Sequence, residues 1–224
     1  MAKRSADDSL THTQHAKKAQ PDPRALMATL NLRSGLGAPT GHSERVAVYA
    51  LAIGRCLDLP DKTLNPLKSA AILHDIGKVG VSRQIVDKLG RLTEREFEIM
   101  RLHSNIAIRM LERVKGLKHS LPMIKHHHER FDGKGYPDGL KGHRIPLGAR
   151  IIAVAETFDM LVSELPWRGA LSLDEAIQEL QRSSGTQFDP IIVEAFLSLV
   201  ESKQVKLPKQ LAHEAQQSPP SKPN

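Results

Sequence analysis

The chain has 224 residues, a length that suits one domain of ordinary size and can bury a sizeable core. It contains no apolar run near the ~18 residues that a membrane span requires, and its start lacks the apolar stretch of a secretory signal, so we expect a cytoplasmic protein. The formal net charge of +7 favours anionic partners, but charge alone does not choose between nucleic acid and a small phosphate ester.

The two ends of the chain differ from its middle in composition. Residues 1–24 are polar and mixed in charge, and residues 206–224 are rich in Pro, Gln, Ser and Lys, so neither segment can bury much apolar area. We therefore expect disordered tails at 1–24 and 206–224 on either side of one folded domain at 25–205.

Between the tails the hydrophobic pattern is helical. The stretch SERVAVYALAIGRCLDL has an apolar stripe, and the chain's single cysteine, Cys56, is expected there as a buried, inert thiol. The next helix is expected to begin with Asn65 as N-cap and Pro66 at its first position, and to stop at Gly77.

The later helices carry clear start signals. A capping box of Thr93 and Glu96 opens TEREFEIMRLHSNIAIRMLERV, and Ser172 with Glu175 repeats the device in SLDEAIQELQRSSG. RIIAVAETFDMLVSEL and DPIIVEAFLSLVESK predict two more helices, the second with Asp189 as N-cap. No alternating strand pattern competes, so the sequence predicts an all-α bundle.

Several histidines and acids on these helices have an arrangement that permits a shared metal site. They are His74 and Asp75 near the end of the second helix, His103 in the middle of the third, His127 and His128 at the end of a short helix from Pro122, and Glu156 on the helix after it. Imidazole with bridging carboxylates suits a pair of Fe, Mn or Zn ions, and helix bundles commonly hold such dinuclear sites. Each of these features also has a purely structural explanation. A lone histidine is usually structural, and DGKGYPDG can be a double turn.

The order of the motifs carries more information than any one of them. GHSERV, AAILHDIGKVGV, HHERFDGKGYPDGLKGHRIPLGARI and VAETFDML resemble, in sequence and spacing, the HD-GYP family of cyclic di-GMP phosphodiesterases over roughly residues 25–202. The resemblance implies an HD-type helical bundle. It also implies a metal-dependent enzyme of bacterial signalling that hydrolyses cyclic di-GMP to pGpG and, in a second step, to GMP.

The resemblance assigns roles to individual residues. The ligands of two divalent metal ions, Fe or Mn, would be His42, His74, Asp75, His103, His127, His128 and Glu156. Asp75 would bridge the two ions and Lys78 would contact the scissile phosphate, so this pair is the expected catalytic pair. The substrate-binding residues would be Gly135, Tyr136, Pro137, Asp159 and Arg168.

Three departures from the family pattern bear on activity. The glutamate that holds a third ion in some members is Ala38 here, so a third ion is not expected. The family's bridging aspartate is Glu156, one methylene longer, which would move an ion or its water by up to ~1 Å. The usual RPY reads LPW from Leu165, which removes a phosphate-binding arginine. We therefore expect these departures to lower the rate of hydrolysis more than they weaken metal binding.

These departures leave a second hypothesis open. It is a catalytically degenerate module that binds cyclic di-GMP, or binds a diguanylate cyclase through the Tyr136 loop, without turnover. No sensor region is recognisable, so control is expected from a partner such as a separate sensor protein or from the expression level, or the activity is not controlled. A homodimer is compatible with the sequence. Direct nucleic-acid binding is least favoured, because aromatic residues make up only 4% and no sequence-specific recognition motif occurs.

Overall fold

The computed structural model of the protein describes residues 38–206 and residue 208. The tail expected at 1–24 and nearly all of the tail expected at 206–224 lie outside the described residues. The described part of the chain is helical and contains no strand, although isolated bridges join Leu165 to Arg168 and Ser184 to Phe188. The prediction of an all-α bundle is confirmed.

The described residues contain nine α-helices and two 3₁₀ helices, joined by turns and loops. In chain order the α-helices are α1 (His42–Cys56), α2 (Asp61–Leu73), α3 (Arg83–Val86), α4 (Glu94–Arg101), α5 (His103–Leu111), α6 (Leu121–Lys125), α7 (Leu147–Leu161), α8 (Leu173–Arg182) and α9 (Pro190–Glu201). The 3₁₀ helices are Ile76–Gly80, between α2 and α3, and Gly142–Arg144, between α6 and α7. None of the described helices is long and apolar enough to cross a bilayer.

The hydrophobic core lies where α1, α2, α7 and α9 pack together. Tyr49, Phe158 and Phe196 meet inside it, and each is at most 1% exposed. The ring centroids are 5.3 Å apart for Tyr49 and Phe158 and 4.7 Å apart for Phe158 and Phe196. Aromatic pairs of this kind contribute about 0.5–1.5 kcal/mol beyond the area they bury. The cluster therefore fixes α1 against α7, and both helices carry predicted metal ligands.

Three of the predicted helix starts are confirmed. Thr93 and Ser172 each accept a hydrogen bond from the backbone N–H of the glutamate three residues later, and that glutamate completes a capping box. Asp189 accepts from the backbone N–H of Ile191 at 3.0 Å. Each such cap contributes about 1 kcal/mol, which is why α4, α8 and α9 begin where the sequence indicates.

The predicted start of α2 at Asn65 and Pro66 is wrong. The helix begins at Asp61, directly after Pro60, so Pro66 lies inside it. Pro66 is the sixth residue of the helix, so it removes a hydrogen bond from the helix interior, which is unfavourable. Leu64 is only 8% exposed, and burial of this side chain stabilises the additional turn.

The end of α2 also differs from the prediction. α2 ends at Leu73, and Gly77 lies inside the first 3₁₀ helix. A Cβ atom at Gly77 would lie 1.9 Å from the carbonyl oxygen of His103 and 2.7 Å from the backbone nitrogen of Ala107. Glycine is therefore needed for close packing, and this packing brings the segment after Asp75 against α5.

We expect Gly77→Ala to lower the free energy of unfolding by about 3 kcal/mol or more, because the added methyl group meets backbone atoms that cannot rotate away. Chemical denaturation measures the change. The matched control is Gly169→Ala, since a Cβ at Gly169 has no heavy atom within 4 Å. Its effect should stay within about 1 kcal/mol. Equal unfolding midpoints for the two variants would contradict the close approach at Gly77.

Two further predictions are wrong. The stretch after Thr93 forms two helices, because a turn at Leu102 separates α4 from α5, and His103 is thus the first residue of α5. The thiol of Cys56 is exposed, because Cys56 ends α1 beyond its last buried residue, Gly54.

Candidate metal centre

The predicted metal ligands come from five separate segments of the fold. His42 opens α1, His74 and Asp75 follow α2, His103 opens α5, His127 and His128 follow α6, and Glu156 lies within α7. His128 and Glu156 are half-buried, and the other five are at most 4% exposed. Because most of them sit at helix ends, side chains from different helices can meet at one point.

Their donor atoms form two groups of four residues. One group consists of Asp75, His103, His127 and His128, and the other consists of His42, His74, Asp75 and Glu156. Within each group, one donor atom from each residue lies within 4.8 Å of the others. Asp75 belongs to both groups, and its two carboxylate oxygens allow it to serve both. The structure thus brings together all seven ligands named from the sequence.

The backbone orients three of the histidines in the same way. The Nδ1 atoms of His74, His103 and His127 lie 2.7, 2.7 and 2.6 Å from the carbonyl oxygen three residues earlier. Nδ1 must donate in this contact, so the neutral ring keeps its lone pair on Nε2. Each Nε2 is buried and has no hydrogen-bond partner among the described residues. Metal ions would satisfy these buried Nε2 atoms, so the residues present fit a metal site.

Distances to Asp75 support the same conclusion. Nε2 of His74 lies 3.3 Å from Oδ2 of Asp75, and Nε2 of His103 lies 3.6 Å from Oδ1. Two ligands that are each about 2.1 Å from one ion are about 3.0–3.4 Å apart at octahedral or tetrahedral angles. The His74 distance falls within this range and the His103 distance lies slightly above it. The two histidines approach different oxygens of Asp75, as they would around a carboxylate shared by two ions.

A second carboxylate orients His42. Its Nδ1 lies 2.7 Å from Oδ2 of Asp159. Arg45 donates to the same carboxylate, from Nε to Oδ1 at 2.6 Å and from Nη2 to Oδ2 at 2.9 Å. Asp159 is 0% exposed, and its carboxylate faces these two partners. The substrate contact expected for Asp159 does not agree with this placement. Asp159 is a positioning residue that fixes the His42 ring, as carboxylates commonly do behind metal-binding histidines.

Lys78 lies beside Asp75, with its Nζ 2.7 Å from Oδ2. Burial opposes ionisation of Asp75, but the Lys78 ammonium and the neighbouring histidines outweigh it and hold the pKa of Asp75 well below its usual range. Burial also disfavours the Lys78 ammonium, yet Asp75 raises the pKa of Lys78 above its ordinary value. Both groups are therefore charged at neutral pH, and the site has a cation next to its shared carboxylate.

Burial also decides the protonation of the other ligands. Burial, reinforced by neighbouring histidines, lowers the pKa of His127 and of His128 well below its usual value, so both rings are neutral and able to ligate. At His74 burial is outweighed by the Asp75 carboxylate, which raises the pKa to about 9. Burial raises the pKa of Glu156 as well. An incoming ion would therefore displace a proton from His74, and its positive charge would favour the ionised form of Glu156.

The glycine-rich loop folds back over these ligands. The backbone N–H of Tyr136 donates to the carbonyl oxygen of His128 at 3.2 Å, and the two rings stack with centroids 4.8 Å apart. The guanidinium of Arg101, which the sequence did not single out, lies 5.1 Å from the centre of the Tyr136 ring. Gly135 is required in the loop, because a Cβ there would lie 2.3 Å from the backbone nitrogen of Arg130.

Glu129 anchors this loop, a role that sequence reasoning missed. Its carboxylate is buried, at 4% exposure, and accepts hydrogen bonds from the backbone N–H groups of Asp138 at 2.8 Å and Leu140 at 3.1 Å. The sequence did contain an indication of this role. Glu129 directly follows His127 and His128 and precedes a turn-rich loop, whose backbone N–H groups need hydrogen-bond acceptors. Glu129 therefore links the ligand pair to the loop that covers it.

A cleft of about 400 Å³ borders three of the predicted ligands and Arg168. The guanidinium of Arg168 donates to the carbonyl oxygens of Met160 at 2.6 Å and Leu161 at 3.2 Å. These carbonyls end α7, where a cation is favourable. Arg168 thus stabilises the end of α7 while it lines the cleft. Leu165, which replaces an arginine of the family pattern, lies in the same turn, and its backbone N–H donates to the carbonyl oxygen of Arg168 at 2.9 Å.

Comparisons with known proteins identify the family and several relatives of this chain. The HD domain family matches residues 26–192. The cyclic di-GMP phosphodiesterase of Thermotoga maritima is 41% identical over 160 residues, which are 70% of this chain and 44% of that protein. The 3'3'-cGAMP-specific phosphodiesterase 3 of Vibrio cholerae is 40% identical over 171 residues, which are 75% of this chain and 37% of that protein. The chain spans less than half the length of these curated relatives.

Two solved structures share the fold. One is the crystal structure of a cyclic GMP-AMP specific phosphodiesterase of Vibrio cholerae, with a TM-score of 0.65 and 24% sequence identity. The aligned region covers 82% of this chain and 49% of that chain. The other is the structure of an HDG"Y"P protein from Bdellovibrio bacteriovorus, with a TM-score of 0.59 and 19% sequence identity. The aligned region covers 80% of this chain and 58% of that chain. With the family match over residues 26–192 and the HD and GYP motifs meeting at one site, the chain belongs to the HD domain family, in its HD-GYP branch.

Proposed function

We propose that the chain hydrolyses cyclic di-GMP to linear pGpG at a centre of two divalent metal ions. The observation that carries the proposal is the pair of donor groups that share Asp75, with the buried Nε2 atoms of three histidines lacking a partner among the described residues. The names of the similar proteins support a cyclic dinucleotide as substrate. Donor groups that mix imidazole with carboxylate suit Fe, Mn or Zn, and the resemblance to the HD-GYP family favours Fe or Mn among these.

The chain's own residues would prepare the phosphodiester for attack. When bound, the ions supply activation of water and neutralise charge on the phosphate. The reaction adds the oxygen of water to phosphorus and breaks one P–O3′ bond, and the leaving 3′-oxygen takes up a proton, so the product has a 5′-phosphate. A phosphate that contacts both donor groups would lie close to Asp75, the residue that the two groups share. Lys78, whose Nζ is 2.7 Å from Asp75, would therefore place a positive charge beside that phosphate.

Substrate contacts are assigned to the cleft and to the loop beside it. Arg168 lines the cleft and provides a cation for a phosphate or a base edge. Tyr136 is fixed by its stacking on His128 and by the loop residues Gly135 and Pro137, so its ring can pack against a nucleobase without further ordering. The same loop is the surface through which a diguanylate cyclase would bind.

One observation favours a second candidate, a receptor that binds cyclic di-GMP without turnover. Leu165 stands where the family pattern has a phosphate-binding arginine, which leaves Arg168 as the cation of this turn that lines the cleft. Weaker binding of the phosphate impairs its alignment for attack by water more than it impairs binding of the nucleobases. The enzyme is preferred because the complete set of seven ligands meets in the structure.

Turnover by the purified chain tests the proposal. Protein prepared without oxygen and loaded with Fe or Mn should bind about two ions per chain and release pGpG in large excess over protein. Chromatography of the nucleotides and elemental analysis of the protein give the two readouts. Stoichiometric binding of cyclic di-GMP without product would favour the receptor, and protein that holds no metal would refute the dinuclear centre.

A further inference from the structure

The cleft beside the metal centre has the dimensions and lining of a nucleobase site. Its volume of about 400 Å³ lies in the range of small-molecule sites, and one part of its wall is apolar, formed by Met160, Leu161 and Leu171. Arg130 and Gln187 provide polar groups in the same lining. A planar base requires this combination of apolar contact for its faces and a few fixed polar groups for its edge.

Gln187 is held at three points. Its backbone N–H donates to the carbonyl oxygen of Ser183 at 3.0 Å, and its own carbonyl oxygen accepts from the backbone N–H of Phe131 at 3.0 Å. Its side-chain Oε1 accepts from Nη1 of Arg130 at 3.1 Å. Arg130 is in turn held by Asp132, with Nε and Nη2 at 3.2 and 2.8 Å from the two carboxylate oxygens.

This arrangement fixes the orientation of the Gln187 amide. Arg130 can only donate, so the amide oxygen must face Arg130 and the NH₂ group must point the other way. Within residues 38–206 no acceptor lies within hydrogen-bond distance of that NH₂ group. Gln187 lines the cleft and its acceptor is occupied by Arg130, so the amide group that remains for a ligand is a donor.

We infer that the cleft selects guanine over adenine, with the Gln187 amide donating to the O6 and N7 edge of the base. The inference rests on the proposed function, because it names which base of a cyclic dinucleotide occupies this cleft. Guanine presents two acceptors, O6 and N7, on this edge, whereas adenine presents the acceptor N7 and the donor N6–H₂. A free glutamine amide pairs well with adenine through its oxygen and nitrogen together, but Arg130 directs the oxygen of Gln187 away from such a pair.

The mixed substrate 3′,3′-cGAMP gives a sharp test, since it contains one guanine and one adenine. If only guanine fits the cleft, the metal centre should cut the same phosphodiester bond in every molecule and produce one of the two linear isomers, pGpA or pApG. Gln187→Glu removes both donors and keeps the length of the side chain. It should yield both isomers and lower kcat/KM for cyclic di-GMP relative to cyclic di-AMP by roughly 10- to 100-fold.

Two control variants isolate the role of the amide. Gln178→Glu makes the same chemical change on the exposed face of α8 and should preserve the isomer ratio of the parent. Gln187→Leu removes the donors without adding charge and should reproduce the loss of preference. An isomer ratio that stays the same in both Gln187 variants would overturn the inference while leaving the phosphodiesterase intact.

Binding measurements separate this inference from the proposed function. Calorimetric titration of the metal-loaded parent with cyclic di-GMP and with cyclic di-AMP should show the same preference and its loss in Gln187→Glu. If the parent turns over neither nucleotide but keeps that preference, the proposed enzyme fails and the guanine site stands. Equal affinities of the parent for the two nucleotides would refute the guanine site, whatever the rate of hydrolysis.

Discussion

Asp75→Ala is expected to lower kcat for cyclic di-GMP hydrolysis by at least about 10³-fold and to remove metal from both donor groups. Asp75 belongs to both groups, so its loss deprives two ions of a ligand at once. Its loss also leaves Lys78, whose side chain is 16% exposed, without its carboxylate partner. Metal content by elemental analysis and single-turnover rates check the two expectations.

The control for Asp75→Ala is Asp174→Ala, which removes an exposed carboxylate from the first turn of α8. This variant should keep the parent's metal content and rate. Asp75→Asn separates charge from shape, because the amide preserves the size of the side chain but cannot act as an anionic bridge. A protein with Asp75→Ala that still holds two ions would show that the sharing of Asp75 is wrong.

Glu156→Asp is expected to lose about one ion per chain and to slow hydrolysis by about 100-fold. The sequence alone slightly favours the opposite outcome, faster turnover with two ions retained, because the family's aspartate is shorter than this glutamate. In the structure a carboxylate oxygen of Glu156 already lies within 4.8 Å of the donor atoms of His42, His74 and Asp75. Removal of one methylene withdraws that oxygen by about 1 Å, and displacements of this size cost about 100-fold in rate. Metal analysis together with kcat measures both effects.

Glu156→Gln provides the matched comparison, because it retains the length of the side chain and removes its charge. We expect it to bind the ions more weakly than the parent, since an amide oxygen is a poorer ligand than a carboxylate. Faster turnover by Glu156→Asp with two ions retained would mean that α7 has not adapted to the longer residue. No change in either quantity would show that Glu156 is not a ligand.

Local hydrogen bonding explains which parts of the fold were predictable. The starts of α4, α8 and α9 depend on contacts between residues at most three positions apart, such as Thr93 with the N–H of Glu96, and these were predicted correctly. The start of α2 was not, because burial of Leu64 in the core outweighed the signal of Pro66. The sequence predicts a helix stop at Gly77, but the structure shows that glycine is needed there for a close contact with His103, a residue 26 positions later that the local sequence does not indicate.

The identity of the seven candidate ligands was determined by the sequence alone, since the motifs that hold them are short and fix residue type and spacing. Tertiary structure alone decided how those ligands are supported. Asp159 orients His42 across 117 positions, and Gln187 pairs with Arg130 across 57. Such pairs form only when separate helices pack, so neither spacing nor periodicity reveals them. The sequence therefore named the candidate side chains of the metal centre, and packing decided that Asp159 lies behind His42 and which atom of Gln187 faces away from Arg130.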